Sequence, residues 1–254
     1  MTVATPLPEL LERLRSHGLR RGVPDGPMTG PMASRGALPT GQPPLDAALR
    51  SGGWPRGALA LLDAPAGGGA TTLALGSLAA AQAAGGVVAY LDPSGSLDPA
   101  IAARLGVRLE WLLVVRPADP AEALELAAWL ARDGRVDAMA LDFGGAPAPR
   151  GLDRLGRLLV RSGGVTLLLA GSGVREAAGV RVRLRRRAWL AVGRDLVGQR
   201  VRATVERHRW ALAGGSAELD LWFGEGRRID AVLAATAEPR RLEAERHELR
   251  VVSA

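Results

Sequence analysis

The chain has 254 residues, 47% of them hydrophobic, and contains no cysteine. This length suits one large domain with a sizeable core, and the lack of cysteine excludes disulfides and thiolate metal sites. No apolar run is long enough to span a membrane, and the first residues lack the regions of a signal peptide. We therefore expect a cytoplasmic protein without membrane contact.

The positive charge collects in one half of the chain. Residues 1–150 hold 13 Arg against 14 acidic residues, whereas residues 151–254 hold 20 Arg against 12. Such asymmetry indicates a basic face for nucleic acid or for an acidic partner. All 33 basic residues are arginine. GC-rich codon usage would explain that preference, but not the clustering of the charge.

An amphipathic helix over residues 8–17 and a Gly/Pro-rich linker begin the predicted elements. Apolar strands then alternate with helices, which indicates a parallel sheet covered on both faces. The predicted strands are Ala58–Leu62, Val87–Leu91, Leu112–Val115, Ala138–Leu141 and Val165–Ala170. The predicted helices are Thr71–Ala84, Asp98–Leu105, Pro120–Asp133 and Leu152–Ser162.

After residue 178 the hydrophobic pattern changes to period two, which is typical of antiparallel strands. We predict such strands at Val180–Leu184, Val201–Arg207 and Glu218–Phe223, and a frayed or weakly helical end over the last fifteen residues. The fold class is therefore α/β, with a mostly parallel sheet flanked by helices and an antiparallel C-terminal extension. The expected organisation is a helix and linker (1–37), a core domain (38–233) and a charged tail (234–254).

A glycine-rich loop joins the first predicted strand of the core to the next helix. A phosphate-binding loop needs glycines for close backbone approach, a lysine for the phosphates and a Ser/Thr hydroxyl for Mg²⁺. Ala64 and Ala70 stand where the first glycine and the lysine belong, and the chain has no other lysine to substitute. The residues that fit are Gly67, Gly68, Gly69, Thr71 and Thr72. We therefore interpret the segment as a degenerate phosphate-binding loop.

Asp142 follows the predicted strand Ala138–Leu141. Together with Thr71 and Thr72 it could hold Mg²⁺. Equally, the two threonines could begin a helix and the aspartate end a strand, as these residue types commonly do. No other metal site is indicated by the sequence.

The order of these motifs resembles the core of the RecA recombinases over residues 38–233. The resemblance is carried by Leu38-Pro39-Thr40-Gly41, Gly52-Gly53-Trp54-Pro55-Arg56-Gly57, Leu97-Asp98-Pro99, Val136–Asp142 and Phe223-Gly224-Glu225-Gly226. It implies a RecA-like fold, with Asp142 in the place of the Walker B aspartate.

The departures from the RecA pattern fall on its catalytic parts. Ser94 stands in the place of the glutamate that activates water, and Ser172-Gly173 in the place of the Asn-Gln pair that senses the γ-phosphate. Ala70 replaces the lysine. The resemblance therefore implies a non-catalytic member without a required cofactor. Weak nucleotide binding is compatible with this set of residues, whereas turnover is not.

The two RecA loops that bind DNA are reduced here to about Phe143–Gly151 and Ser172–Gly179. The basic residues lie downstream, with an aromatic ring that could stack on a base. This predicted DNA surface consists of Arg181, Arg183, Arg185, Arg186, Arg187 and Trp189. The alternative is that Arg181 and Arg183 form the solvated face of an edge strand, with Trp189 in the core.

Within the RecA-like proteins, the chain resembles ImuA, and Arg209-Trp210 followed by Gly214-Gly215 fits that subgroup. This resemblance implies an adaptor of the translesion synthesis mutasome that binds an ImuB-type polymerase homologue, with RecA and DNA as further partners. The alternative is a SulA-like division inhibitor that binds a tubulin-like GTPase.

Two interaction surfaces follow from the RecA resemblance. Arg207 and Arg209 occupy the place of a basic pair that reaches the neighbouring subunit in RecA filaments, which implies a homo-oligomer contact. Both could equally be outward residues of a strand, because they alternate at period two. The expected partner-binding surface, where a RecA-like N-terminal motif docks, comprises Leu112, Val114, Leu124, Ala127 and Ala128.

Overall fold

The computed structural model describes residues 36–170, 174, 177–192, 194–223 and 249–253. The helices are α1 (Pro43–Leu49), α2 (Ala70–Ala83), α3 (Pro99–Arg104), α4 (Pro120–Asp133) and α5 (Leu152–Ser162). The first strands are β1 (Ala37–Leu38), β2 (Trp54–Pro55), β3 (Leu59–Asp63), β4 (Val88–Leu91), β5 (Leu112–Val115), β6 (Ala138–Asp142) and β7 (Val165–Leu169). The remaining strands are β8 (Val180–Val192), β9 (Asp195–His208), β10 (Ser216–Trp222) and β11 (Leu249–Ser253).

The large sheet has the strand order β10-β9-β8-β3-β7-β6-β4-β5, and β11 pairs with β8. All pairings from β8 to β5 are parallel, whereas β8, β9 and β10 pair antiparallel with one another. This arrangement confirms the predicted α/β class, with its parallel centre and antiparallel C-terminal strands. None of the described helices is long and apolar enough to cross a bilayer.

Two layers of helices bury the two faces of the sheet. Ala60 and Leu62 of β3 join the core under α1 and α2, whereas Leu59 and Leu61 join the core under α4 and α5. Successive strand residues point to opposite faces, so a strand covered on both sides must be apolar throughout. This requirement explains the unbroken apolar runs of the five predicted parallel strands.

Local sequence signals fix where α3 and α4 begin. Asp98 accepts hydrogen bonds from the N–H groups of Ala100 and Ile101, and Asp119 caps α4 in the same way. A proline follows each aspartate at the first helical position, where its missing N–H costs nothing. The observed bounds of the helices and parallel strands of the core lie within one or two residues of the predicted ones, which confirms those predictions.

The antiparallel strands differ from the prediction in length. β8 and β9 have 13 and 14 residues and form one long hairpin. Its outer half was not predicted, because the run Arg185–Arg187 interrupts the alternation and a bulge there shifts the register between Arg186 and Ala188. α1 was also missed, because it is short and begins with two prolines.

The prediction of a frayed or weakly helical end is wrong for residues 249–253, which form β11. This strand pairs antiparallel with Ala188–Val192 of β8. One edge of β8 thus has two neighbours in succession. Its first half, Val180–Arg183, pairs with β3, and its outer half pairs with β11. The predicted helix at 8–17, the linker up to residue 35 and residues 234–248 of the tail lie outside the described residues.

His208 connects the end of β9 to the end of α1 in the core. Its Nδ1 accepts the N–H of Trp210 at 3.3 Å, and its Nε2 lies 3.3 Å from the Ser51 hydroxyl oxygen. The Ser51 hydroxyl donates its own proton to the Gly53 carbonyl at 2.6 Å, so it acts as the acceptor in its contact with His208. Nε2 of His208 therefore carries a proton. This tautomer is neutral, and burial lowers the pKa of His208 in agreement with it.

The buried histidine should make folding stability depend on pH. The unfolded state binds a proton below about pH 6.5, whereas the folded state resists protonation to lower pH. Stability should therefore decrease as the pH falls below about 6.5, and the His208→Gln variant should lose less stability over the same interval. Thermal melting of both proteins at a series of pH values measures this. Parallel melting-temperature curves would contradict it.

Candidate functional site

The glycine-rich loop, Asp142 and Asp92 meet at the carboxyl edge of the parallel sheet. The loop joins β3 to α2, Asp142 ends β6, and Asp92 follows β4. Ligands of open α/β sheets bind outside this edge, where successive loops converge. The structure therefore brings together the two parts of the predicted nucleotide site, the loop and the strand-end carboxylate.

The loop is folded tightly, and the antiparallel strands cover its end at Gly69. Gly68 donates its N–H to the Pro65 carbonyl at 2.8 Å, and Gly67 and Gly69 have φ values of +68° and +92°. A Cβ atom on Gly69 would lie 2.5 Å from Cδ1 of Leu221 and 3.0 Å from Nε2 of Gln199. The β9–β10 strands thus lie directly against the start of α2 and leave no room for a side chain there.

Tyr90 is the buried hydrogen-bond partner of Asp142. Its phenol donates to Oδ2 of Asp142 at 2.7 Å. Tyr90 is fully buried. Burial, and then the charge of Asp142, raise the pKa of Tyr90, so the phenol keeps its proton. The other oxygen of Asp142 accepts the N–H of Gly144 at 2.9 Å.

This arrangement does not fit the Mg²⁺-bound nucleotide that such a loop would hold. Mg²⁺ demands near-octahedral oxygen ligands. Here both oxygens of Asp142 already accept hydrogen bonds, one from the protonated Tyr90 phenol and one from the N–H of Gly144. The methyl group of Ala70 can neither donate a hydrogen bond to a phosphate nor balance its charge.

Asp142 ends β6, as the structural interpretation has it. The threonines do not cap α2, because its N-cap is Gly69 and no side chain accepts a hydrogen bond there. Thr72, in the first turn of α2, is half-buried.

Asp92 and Ser94 form a second polar cluster after β4. Asp92 is buried and accepts the N–H of Leu97 at 2.8 Å, the Ser94 hydroxyl at 2.9 Å and the N–H of Ser96 at 3.1 Å. Desolvation raises the pKa of Asp92, but the hydrogen bonds from Leu97, Ser94 and Ser96 outweigh it and lower the pKa. The Ser94 hydroxyl is thus engaged in holding this loop.

Two arginines of the predicted DNA surface are neutralised in the folded chain. Arg183 lies 3.3 Å from Asp63 and 2.7 Å from Glu206, and Arg181 is also paired with Glu206. The negative charge of Asp63, at the end of β3, is thereby compensated. The alternative of an edge strand is wrong, because β8 lies between β3 and β9.

The rest of the predicted DNA surface stays exposed. Arg185, Arg186 and Arg187 are exposed, and the Arg186 guanidinium lies 4.1 Å from the centre of the Trp189 ring. Trp189 also contacts Phe223 edge to face, with centroids 6.3 Å apart. The indole is half-buried and is not part of the main core. DNA contact through these residues stays a prediction.

Comparisons with known proteins agree with this architecture. A model of the RecA N-terminal domain matches residues 31–153. A RecA protein of Thermus thermophilus is 34% identical over 229 residues, which cover 74% of this chain and 67% of that protein. The chain belongs to the RecA family. RecA of Frankia casuarinae is 32% identical, covering 75% of this chain and 66% of that protein.

A solved structure of the RadB recombinase shares the fold of this RecA-family chain. It is 20% identical, with a TM-score of 0.55, and the match covers 72% of this chain and 95% of that one. Arg207 and Arg209, in the place of the RecA basic pair, are both exposed near the end of β9. The inter-subunit contact implied for them stays a prediction.

β5 is the outermost strand on its side of the described sheet, as the predicted partner surface requires. Val114 is 39% exposed and Leu112 is half-buried. Leu124, Ala127 and Ala128, which were expected on the same surface, are buried in the core under α4 and α5, so their side chains are not exposed to a partner. Trp129 is the exposed aromatic residue of α4, at 38%.

Tyr90 is the site residue that sequence reasoning missed. The only signal was a polar aromatic residue within an otherwise aliphatic strand, and such a residue is more often part of the core. Gln199 was missed for a different reason. It lies in the outer half of the β8–β9 hairpin, which the sequence pattern did not reveal.

The contacts at Gly69 predict unequal effects of two glycine substitutions. Gly67→Ala should cost about 1–2 kcal/mol, because only the positive φ is strained and a Cβ there meets nothing within 4 Å. Gly69→Ala should cost about 1–3 kcal/mol more, because it also displaces Leu221 and Gln199. Urea denaturation of both variants measures the difference. Equal losses would mean that the β9–β10 strands do not press on the loop.

Proposed function

We propose that this RecA-family chain is a non-catalytic adaptor and does not hydrolyse ATP. The observation that carries the proposal is the buried Tyr90 phenol, which donates to Asp142 and so engages the carboxylate in the place of the Walker B aspartate. Ala70 in place of the lysine and the engaged Ser94 in place of the catalytic glutamate support it independently.

The expected sizes of the two defects favour complete loss of ATP turnover over a mere reduction of its rate. A charge-assisted hydrogen bond contributes about 1.5–3 kcal/mol, so the missing lysine alone weakens nucleotide binding by about one to two decades. A general base is worth roughly 10²–10⁴ in rate. The missing lysine weakens nucleotide binding, and the missing glutamate slows hydrolysis. Because these are different steps, the two effects combine.

The adaptor function needs a docking surface, and the β5 edge supplies one. The Asp92 N–H donates to the Val115 carbonyl at 2.8 Å, so the polar groups of Val115 face β4. Neighbouring residues of a strand direct their N–H and C=O groups to opposite sides. The groups of Val114 therefore face outward and are available to an added strand, as in β-augmentation.

The resemblance to ImuA suggests which strand is added there. We assign the edge to a RecA-like N-terminal motif of an ImuB-type polymerase homologue, in the mutasome for DNA damage-induced translesion synthesis. Trp129 of α4 offers an exposed aromatic contact for such a partner. RecA, DNA and a second copy of the chain are further partners compatible with this function. Arg185, Arg186 and Arg187 supply exposed charge for DNA.

The first test of this proposal is catalytic. The purified protein should hydrolyse no ATP above background, with or without single-stranded DNA, because the site lacks a phosphate-binding lysine and a water-activating carboxylate. The Thr71→Ala variant is the control and should leave the background unchanged. Steady turnover that disappears in Thr71→Ala would overturn the proposal.

The second test is a proline at the β5 edge. Val114→Pro removes the outward N–H without touching the ladder to β4, and proline is tolerated on edge strands. Binding of the N-terminal peptide of the polymerase homologue should weaken about tenfold, since one or two strand hydrogen bonds of about 0.5–1.5 kcal/mol are lost. Isothermal titration calorimetry measures the affinity.

Val114→Thr is the matched control, because it keeps both the N–H group and a β-branched side chain. It should bind the peptide as the unaltered chain does. Undiminished binding by a folded Val114→Pro variant would place the peptide elsewhere. A charge at Ala127 would test folding and not docking, because that side chain is 0% exposed. Binding of a tubulin-like GTPase, without the polymerase peptide, would favour the SulA-like alternative.

A further inference from the structure

Helix α5 carries positive charge along one ridge. Arg150, two residues before the helix, and Arg154, Arg157 and Arg161 within it are spaced four, three and four residues apart, and all four are exposed. At 3.6 residues per turn the three arginines within the helix fall within an arc of about 60°. We call this set the arginine ridge. Leu155 and the other buried residues of α5 lie on the opposite face.

The ridge differs from other arginines of the described surface in having no ion-pair partner among the described residues. Elsewhere on the described surface, arginines such as Arg200 and Arg202 face carboxylates across a strand pair. Within the described ranges none of the four ridge residues forms an ion pair. Asp153 is the one acidic residue of α5. The ridge therefore retains its positive potential for a partner.

A pocket lies on each side of the ridge, and each pocket combines two arginines with an apolar wall. One, of about 430 Å³, is lined by Arg161 and Leu158 of α5 and by Arg132 from the end of α4. The other, of about 310 Å³, is lined by Arg157 and Val160 of α5 and by Arg209 and Trp210 beyond β9, and the Asp153 carboxylate also lies in its wall. Each pair of guanidinium groups is thus held by two different elements.

The second pocket includes Gly57 and Gly179, which precede β3 and β8. It therefore opens at the amino edge of the parallel sheet, whereas the glycine-rich loop lies at the carboxyl edge. None of the residues that line either pocket belongs to β5. This surface is separate both from the degenerate nucleotide loop and from the proposed partner edge.

The apolar walls indicate what kind of anion fits. Interfaces with nucleic acid are polar and match phosphates with positive charge, and a phosphate backbone has no apolar side chain to bury. An acidic protein segment has both carboxylates, which arginine binds in a bidentate geometry, and apolar side chains. We propose that the arginine ridge and its two pockets dock an acidic, amphipathic segment of a protein partner, independently of the β5 edge.

The probe is a fluorescent peptide of glutamate and leucine arranged to form an amphipathic helix, and binding is measured by anisotropy. The variant Arg154→Gln/Arg157→Gln/Arg161→Gln should bind it about tenfold more weakly, since three exposed pairs are lost. The matched control Arg185→Gln/Arg186→Gln/Arg187→Gln removes equal charge from β8 and should bind normally. Val114→Pro should also bind normally, which separates this result from the partner proposal.

Two further probes decide the chemistry of the partner. A peptide with serine in place of leucine should bind more weakly, because the pockets are then unfilled. A single-stranded oligonucleotide should not lose affinity in the ridge variant. Equal binding of the two peptides, no binding of the leucine peptide, or tighter oligonucleotide binding that the ridge variant abolishes would each overturn the proposal.

Discussion

The central strands of the sheet have no solvated face, and this constraint decides where polar groups can lie. In β4, β6 and β7 every residue is buried. Polar side chains therefore occur mostly at strand ends, where loops supply partners. Asp137, before β6, pairs with Arg56 at 3.2 Å and accepts the N–H of Val87 at 3.1 Å. A phenol within β4 would cost about 1–3 kcal/mol if left unpaired, and Asp142 meets that need.

Because the central strands are buried on both faces, the carboxylates at the carboxyl edge of the sheet also serve the core. In this chain the carboxylate at the end of β6 serves the interior, because it holds the Tyr90 hydroxyl. Asp92 serves its own loop in a comparable way. Two acidic groups of a RecA-like catalytic edge thus act as internal hydrogen-bond acceptors. At this edge of the sheet both carboxylates therefore stabilise the fold through hydrogen bonds within the chain.

Much of this fold could be predicted from the sequence, because a buried parallel strand leaves a strong pattern. The run Val165–Leu169 and the capped helix starting at Pro120 allow few other interpretations. The long β8–β9 hairpin left no such pattern, since its outer half combines exposed arginines with a bulge. β11 was missed because its pairing with β8 depends on the tertiary structure and not on its own sequence.

The candidate site also divides into residues that a local sequence pattern reveals and residues that only the tertiary structure brings together. The glycine loop, Ala70 and Asp142 were recognised because their roles depend on order along the chain. The cluster of Asp63, Arg181, Arg183 and Glu206 joins residues far apart in sequence, so its neutral balance could not be seen beforehand. Burial of Leu124 and Ala127 depends on how α4 packs against α5, since either face of a short Ala/Leu-rich helix could have been the covered one.

The open β5 edge has a practical consequence for handling the protein. A strand with outward-facing N–H and C=O groups pairs readily with any extended chain, including another copy of itself. Val114 and Trp129 add exposed apolar surface beside it. Neither proline nor a charged residue occurs within Leu112–Val115 to discourage such pairing. Produced alone at high concentration the protein should tend to aggregate through this edge, and coexpression with a partner that covers it should improve the soluble yield.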